Sequence, residues 1–248
     1  YSRTCGWWTN LRSLGGLGLP NPLLGAGSLT KVRDGPNYIT GLALWYDAKQ
    51  QSGFAHNAAM TSITDFSGNA YTGTQTTASK QPTFTTAGIN GDRSFSFDGG
   101  DVLRAVNTTF SQPISIVGVA RATSLVNNHQ IDGGNGGTSR CVVFIEASSV
   151  RIFGGAALAS TAAISTGSAF DFYAIFDGAN SQITIGTGTP TAGNAGTQGH
   201  STISFGAEPT PSLGWEGLIG EYAIYNGVAL TTQNIQSLRR YFVSRWGV

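Results

Sequence analysis

Ile114-Ser115-Ile116-Val117-Gly118-Val119-Ala120-Arg121 is the stretch that decides the fold. Residues 114 to 117 supply β-branched bulk at strand length, and such side chains pack well on a pleated surface while losing rotamer freedom in a helix. Runs of the same character recur at short intervals on both sides. Upstream lie Leu42-Ala43-Leu44-Trp45-Tyr46-Asp47, Arg93-Ser94-Phe95-Ser96-Phe97 and Val102-Leu103-Arg104-Ala105. Downstream lie residues 141–146, 150–153, 170–176, 182–185, 202–205 and 218–225. Between the runs, Asp65-Phe66-Ser67-Gly68-Asn69, Ile89-Asn90-Gly91-Asp92, Asp98-Gly99-Gly100-Asp101 and Asp177-Gly178-Ala179-Asn180 offer residues that tolerate positive φ. Many short strands separated by Gly, Asn and Asp turns predict an all-β antiparallel sandwich, not a βαβ fold. No fixed-period repeat indicates a propeller or solenoid.

One helix is predicted, at the end of the chain. Thr231 is its N-cap, Leu230 and Ile235 have the spacing of a hydrophobic staple, and Gly247 suits the stop. Ile235, Leu238, Phe242 and Trp246 fall on one face, which should lie against the sandwich.

The 248 residues, 40% of them hydrophobic, can bury the core of one large β-domain. Charged residues make up only 11% of the chain, and 35 glycines accompany abundant Thr, Ser, Asn and Ala. The exterior should therefore be neutral and rich in hydroxyls. A net charge of +1 is too small for the phosphate neutralisation that nucleic-acid binding needs. No apolar run reaches the roughly 18–20 residues that cross a bilayer, so neither nucleic acid nor membrane is expected as a partner. The first residues do not form a signal peptide, and Tyr1 in place of Met implies processing or a fragment.

Residues 1–37 differ from everything after them. Leu14-Gly15-Gly16-Leu17-Gly18-Leu19-Pro20-Asn21-Pro22-Leu23-Leu24-Gly25 has no periodicity, and with Trp7 and Trp8 it is too apolar for a solvated linker. The domain reading is an extended N-terminal arm at 1–37, serving as an anchor, followed by a β-domain at 38–248. The arm either docks on another protein or another copy of the chain, or packs along its own sandwich; exposed, it would make a sizeable apolar patch. Cys5 and Cys141 lack partners at metal-binding spacing. A long-range disulfide between them is one reading, and a buried strand thiol at Cys141 is the other.

The landmarks also follow a recognisable order: Gly41-Leu42-Ala43-Leu44-Trp45-Tyr46-Asp47-Ala48, Asp65-Phe66-Ser67-Gly68-Asn69, Gln81-Pro82-Thr83-Phe84 and Gly88-Ile89-Asn90-Gly91, then Phe97-Asp98-Gly99-Gly100-Asp101, Gly220-Glu221-Tyr222-Ala223-Ile224-Tyr225-Asn226 and Ser244-Arg245-Trp246-Gly247. Over about residues 38–248 the chain resembles the laminin-G-like, concanavalin A-like jelly rolls of bacteriophage structural proteins and bacterial surface proteins. The resemblance implies a two-sheet antiparallel jelly-roll sandwich used for adhesion, sugar binding or structural decoration. The Gly/Leu/Pro-rich leader is similar to that of small virion proteins of this family. That implies a virion component, capsid- or tail-associated, non-catalytic, held by its arm to other virion proteins or to its own copies as a homo-oligomer or part of a larger assembly, and able to touch glycans or a host surface. The alternative is a secreted or cell-surface, extracellular lectin-like adhesin. A glycoside hydrolase is the third reading.

Retaining glycosidases on such sandwiches set an acid and a nucleophile carboxylate about 5 Å apart. The four glutamates, Glu146, Glu208, Glu216 and Glu221, never stand two or four apart on one strand, and an uninterrupted strand would point Glu216 and Glu221 to opposite faces. Glu221 reads as a structural carboxylate. His56, His129 and His200 are scattered in polar, Gly- or Asn-rich surroundings and read as loop histidines, and no nucleophile–base motif accompanies them. The chain is accordingly expected not to be an enzyme, with no catalytic, cofactor or metal residue assigned. Laminin-G-like folds can hold Ca²⁺ at a rim, and Asp98 and Asp101 read either as a pair of rim ligands or as caps of a tight turn. Asp132-Gly133-Gly134-Asn135-Gly136-Gly137 reads as a flexible loop first and an ion site second. Trp215, Tyr71 and the loop of Asn127, Asn128 and His129 are the candidates for a sugar platform, whereas Trp45 and Trp246 read as core.

Overall fold

A computed structural model of the chain describes residues 35–106, 108–126, 128–133, 140–208 and 213–248, with backbone alone at 128–133. Cys5 and the expected arm, apart from residues 35–37, lie outside the described residues. Pro36–Tyr38 form a 3-10 turn, and the carbonyl of Pro36 accepts a hydrogen bond from the Tyr225 hydroxyl at 3.1 Å.

The described residues form seventeen strands and one α-helix. In chain order these are β1 (Leu42–Asp47), β2 (Ala58–Ala59), β3 (Ser62–Ile63), β4 (Gly73–Thr74), β5 (Thr83–Thr85), β6 (Ser94–Asp98), β7 (Leu103–Ala105), β8 (Ile114–Ala122) and β9 (Asn128–Gly133). They continue with β10 (Val142–Glu146), β11 (Ser149–Phe153), β12 (Ala157–Ala163), β13 (Ala169–Phe176), β14 (Ser181–Ile185), β15 (Thr191–Gly193), β16 (Ile203–Phe205), β17 (Glu216–Asn226) and α1 (Thr232–Trp246).

Every strand pairing is antiparallel, and the strands make two sheets. The first runs β15-β14-β13-β8-β17-β6-β5-β2, with β1 also on β17; the second runs β12-β11-β10-β9-β16-β7-β4-β3. β8, the strand from which the fold was read, sits inside the first sheet between β13 and β17, which explains its nearly continuous burial. β17 carries β8 along one edge, and along the other it carries β6 (at Glu216–Ile219) and then β1 (at Glu221–Tyr225).

The two sheets meet through aromatic rings. Phe205 of the second sheet is fully buried, its ring centroid 5.3 Å from Tyr46, 5.7 Å from Phe95, 5.3 Å from Phe97 and 5.5 Å from Tyr222, all on the first sheet. These are edge-to-face distances, at which the ring quadrupoles attract. On the side of the first sheet turned away from this core, α1 buries Leu238, Phe242 and Trp246, with Ile235 partly buried. Its N-terminus is a capping box: Thr231 Oγ1 accepts from the Asn234 amide at 3.2 Å, and Asn234 Oδ1 accepts from the Thr231 amide at 3.1 Å. Gly247 ends the helix in the left-handed region, at φ 67°. Among the described residues no helix is long and apolar enough to cross a membrane.

Three sequence expectations change. Asn128, His129, Asp132 and Gly133 belong to strand β9, between β10 and β16, and not to loops. β12, at the far end of the second sheet, was not expected from its Ala-rich sequence. β17 is interrupted: its register with β8 shifts by one between Ile219 and Glu221. Leu218 and Glu221 then share a face, as their partners Arg121 and Val119 do, and Glu216 joins them by alternation.

Candidate functional site

The heaviest concentration of charge lies beneath α1. Asp47 and Glu221 are cross-strand neighbours of β1 and β17, both without exposed surface. Glu221 Oε1 accepts from Trp45 Nε1 at 2.7 Å and from the Tyr241 hydroxyl at 2.9 Å, while Oε2 accepts from Trp246 Nε1 at 2.7 Å. Arg245 bonds Asp47 through Nη2, and its Nε stands 3.4 Å from Glu221 Oε2, at ion-pair range. Burial and then the charge of Asp47 push the Glu221 carboxyl up to about 8, against Trp246, Arg245 and Trp45, which favour the ionised form. A third carboxylate, Asp171, is held by Arg239 at 3.0 and 2.9 Å and by the Tyr173 hydroxyl at 2.7 Å. Sequence reading missed the Asp47–Glu221 pair because its members lie on distant strands. Both are sealed beneath the helix, where they tie it to the sheet.

A partly exposed surface of different chemistry lies on the second sheet. Leu103, Ala105, Ile203, Phe205, Val143 and Ile152 turn into the core. Alternate positions form cross-strand rows on the other face, Thr74, Arg104 and Ser204 on one side of β9 and Val142, Phe153 and Ala157 on its other side. Val142 and Ser204, next to β9, are buried; Phe153, near the β12 end, is partly exposed. The Arg140 guanidinium lies 5.6 Å from the centre of the Phe153 ring and pairs with Glu208 at 3.8 Å. In the adjacent row Phe144 is opposite Arg151, which pairs with Glu146 at 2.7 Å. The side chains of Arg151 and Glu146 are 33% and 44% exposed. Partly exposed rings thus stand beside two internally neutralised Arg–Glu pairs. Rings of this kind can hold the C–H face of a sugar, and guanidinium and carboxylate groups can bond its hydroxyls.

The residues singled out in the sequence are dispersed. Trp215 is fully buried, so it cannot serve as a platform. Tyr71 packs edge-on to Phe110 at 5.8 Å, against the core. Asp101 Oδ2 accepts from the Asp98 amide at 3.0 Å and Asp98 Oδ1 from the Gly100 amide at 2.9 Å, the arrangement of a capped turn. Burial raises the Asp101 carboxyl to about 7. Among the described residues no three His, Cys, Asp or Glu side chains gather at metal-binding distance. His56 lies in an exposed loop, where its Nδ1 accepts from the Thr86 amide at 3.2 Å. His200 corrects its expectation: it is 1% exposed beside Phe110, and burial lowers its pKa to about 3. Cys141 is a buried free thiol donating to the Gln198 carbonyl at 2.8 Å, and burial pushes it up to about 12.

No family model matches the chain, and no curated protein sequence does. Solved structures do. Domain 4 of AbnA, a GH43 extracellular arabinanase from Geobacillus stearothermophilus, in complex with arabinotriose, superposes with a TM-score of 0.58 at 16% identity over 80% of this chain and 98% of that one. The chain shares a β-sandwich fold with carbohydrate-active proteins. A GH54 α-L-arabinofuranosidase matches at a TM-score of 0.57 and 13% identity, over 76% of this chain and 51% of that one. Trypanosoma rangeli sialidase in complex with sialic acid matches at 0.50 and 13%, over 81% and 33%. The chain therefore spans about half the length of the arabinofuranosidase and a third of the sialidase. None of these three is named as a phage or laminin-G protein, so the resemblance stands at the level of a β-sandwich. The expectation that the chain is not an enzyme is overturned: proteins with its fold include an arabinanase and an arabinofuranosidase. Asp47 and Glu221 do form a carboxylate pair that spacing along one strand did not anticipate, but it is sealed beneath α1.

Proposed function

We propose that this chain is a glycan-binding β-sandwich, a jelly roll of the laminin-G type displayed on the surface of a larger assembly, which receives an oligosaccharide on the outer face of its second sheet. The observation that carries this reading is the juxtaposition of partly exposed Phe153 and Phe144 with the Arg140–Glu208 and Arg151–Glu146 pairs. The match over 98% of an arabinanase domain in complex with arabinotriose supports it. Neutralised pairs suit a neutral, hydroxyl-bearing ligand, because they offer donors and acceptors without a net field that would favour ions. The test is calorimetric titration with arabinotriose, followed by a glycan array. Phe153→Ala should weaken binding by about tenfold or more, the equivalent of about 1.4 kcal/mol, with the melting temperature nearly unchanged. Equal affinity of Phe153→Ala and wild type would remove this face from the reading. Assaying the same mixtures for new reducing ends reads turnover directly.

A further inference from the structure

A groove of about 270 Å³ lies on the opposite side of the molecule, between β14, the turn that follows it and α1. Gln182, Thr184, Thr187, Pro190, Gln236 and Arg239 line it. Thr184 points to the helix side of the first sheet, since it is the cross-strand neighbour of Tyr173, which bonds Asp171 beneath Arg239. Thr184 is only 5% exposed, and its Oγ1 has no hydrogen-bond partner. A buried hydroxyl without a partner is uncommon, because its lost hydration is not replaced.

We infer that this groove is a second binding site, taking one neutral sugar ring or comparable polyol whose hydroxyl completes the hydrogen bonding of Thr184 Oγ1. The lining chemistry selects that class. Both hydrogen bonds from Arg239 Nη1 go to Asp171, so the guanidinium charge is matched and an anion gains little, while its other N–H groups remain donors. The amides of Gln182 and Gln236 each offer a donor and an acceptor, and Pro190 supplies an apolar wall for ring C–H groups. The volume is below the roughly 300–1,000 Å³ of sites for drug-sized ligands, which suits one ring and not a chain. Gly186, in the turn after β14, takes φ 54°, a backbone conformation that L side chains rarely adopt. The site shares no residue with the Phe153 face.

Thr184→Val separates a binding role from a structural one, because it preserves shape and deletes only the unpartnered hydroxyl. The probes are L-arabinose, D-xylose and D-galactose, each followed by saturation-transfer NMR and by amide shifts on the full chain. At least one should bind, shifting the amides of Thr184 and Gln236. Thr184→Val should weaken that binding by about tenfold, the loss expected for one hydrogen bond, with an unchanged or raised melting temperature. Phe153→Ala should leave it intact, so failure of the sheet-face reading and failure of this one are told apart. Absence of binding by all three sugars, shifts confined to other residues, or full affinity in Thr184→Val would each overturn the inference.

Discussion

Glu221 has no exposed surface, three hydrogen-bond donors and a neighbouring Asp47, and its carboxyl is raised to about 8. Asp101, raised to about 7 by burial, acts in the same direction. A carboxyl raised above its unfolded value binds protons more tightly in the folded state. Its contribution to stability is complete below the ordinary carboxylate range and is lost as pH rises through the folded value. His200, lowered to about 3, has the opposite sense: its contribution is complete above the ordinary histidine value near 6.5 and is lost as pH falls toward 3. Between pH 6.5 and 8.5 the raised Glu221 carboxyl should therefore make stability fall with rising pH, by about 1–2 kcal/mol for Glu221 alone. Urea unfolding of wild type and Glu221→Gln across that range checks this. The variant should show the shallower slope, and parallel slopes would count against a raised carboxyl at this position. The Asp47–Glu221 pair could not be read from spacing, because residues 174 positions apart in the chain become neighbours only when β1 pairs with β17.

At the scale of elements, β17 and α1 fit together through a single missing side chain. Gly220 sits at the register shift in β17, where an added Cβ would stand 2.7 Å from Cζ3 of Trp246. Trp246 is buried and bonded to Glu221, so it has no free direction in which to yield. Gly220→Ala should therefore cost about 1–3 kcal/mol through overpacking, read as a lower urea midpoint with an unchanged slope. The capping box gives a milder case: Thr231→Ala should cost about 1 kcal/mol, detectable in the same experiment. The helix was legible in sequence because Thr231, Leu238, Phe242, Trp246 and Gly247 follow local rules of capping and periodicity. The strands of β-branched and aromatic residues, β1, β8 and β13 among them, were legible for the same reason. Ala157–Ala163 was not, since an Ala-rich segment becomes a strand only by pairing with β11. Nor was the bulge in β17, which is a relation between two strands and not a property of either.

Across the whole molecule, Phe205 is the point at which the two sheets hold each other. Four aromatic rings from three strands of the opposing sheet surround its buried side chain, so Phe205→Ala would leave a cavity lined by rigid rings. Such a site collapses poorly, and a loss of about 3–5 kcal/mol is expected, measured by chemical unfolding; a loss under about 1 kcal/mol would mean that the sheets are joined elsewhere. The amino-acid sequence by itself determined the all-β class, most long strands, the turns and the capped final helix, because each depends on residues close together in the chain. Tertiary structure decided the rest: that Trp215 and His200 are interior, that Asp47 faces Glu221, that Phe153 and Arg140 meet on one sheet face, and that Thr184 looks into a groove beside Gln236. These are relations among strands brought together from across the chain. Periodicity shows which side of a strand is apolar, but only the pairing register and the packing of a helix over the sheet show which polar groups share a site.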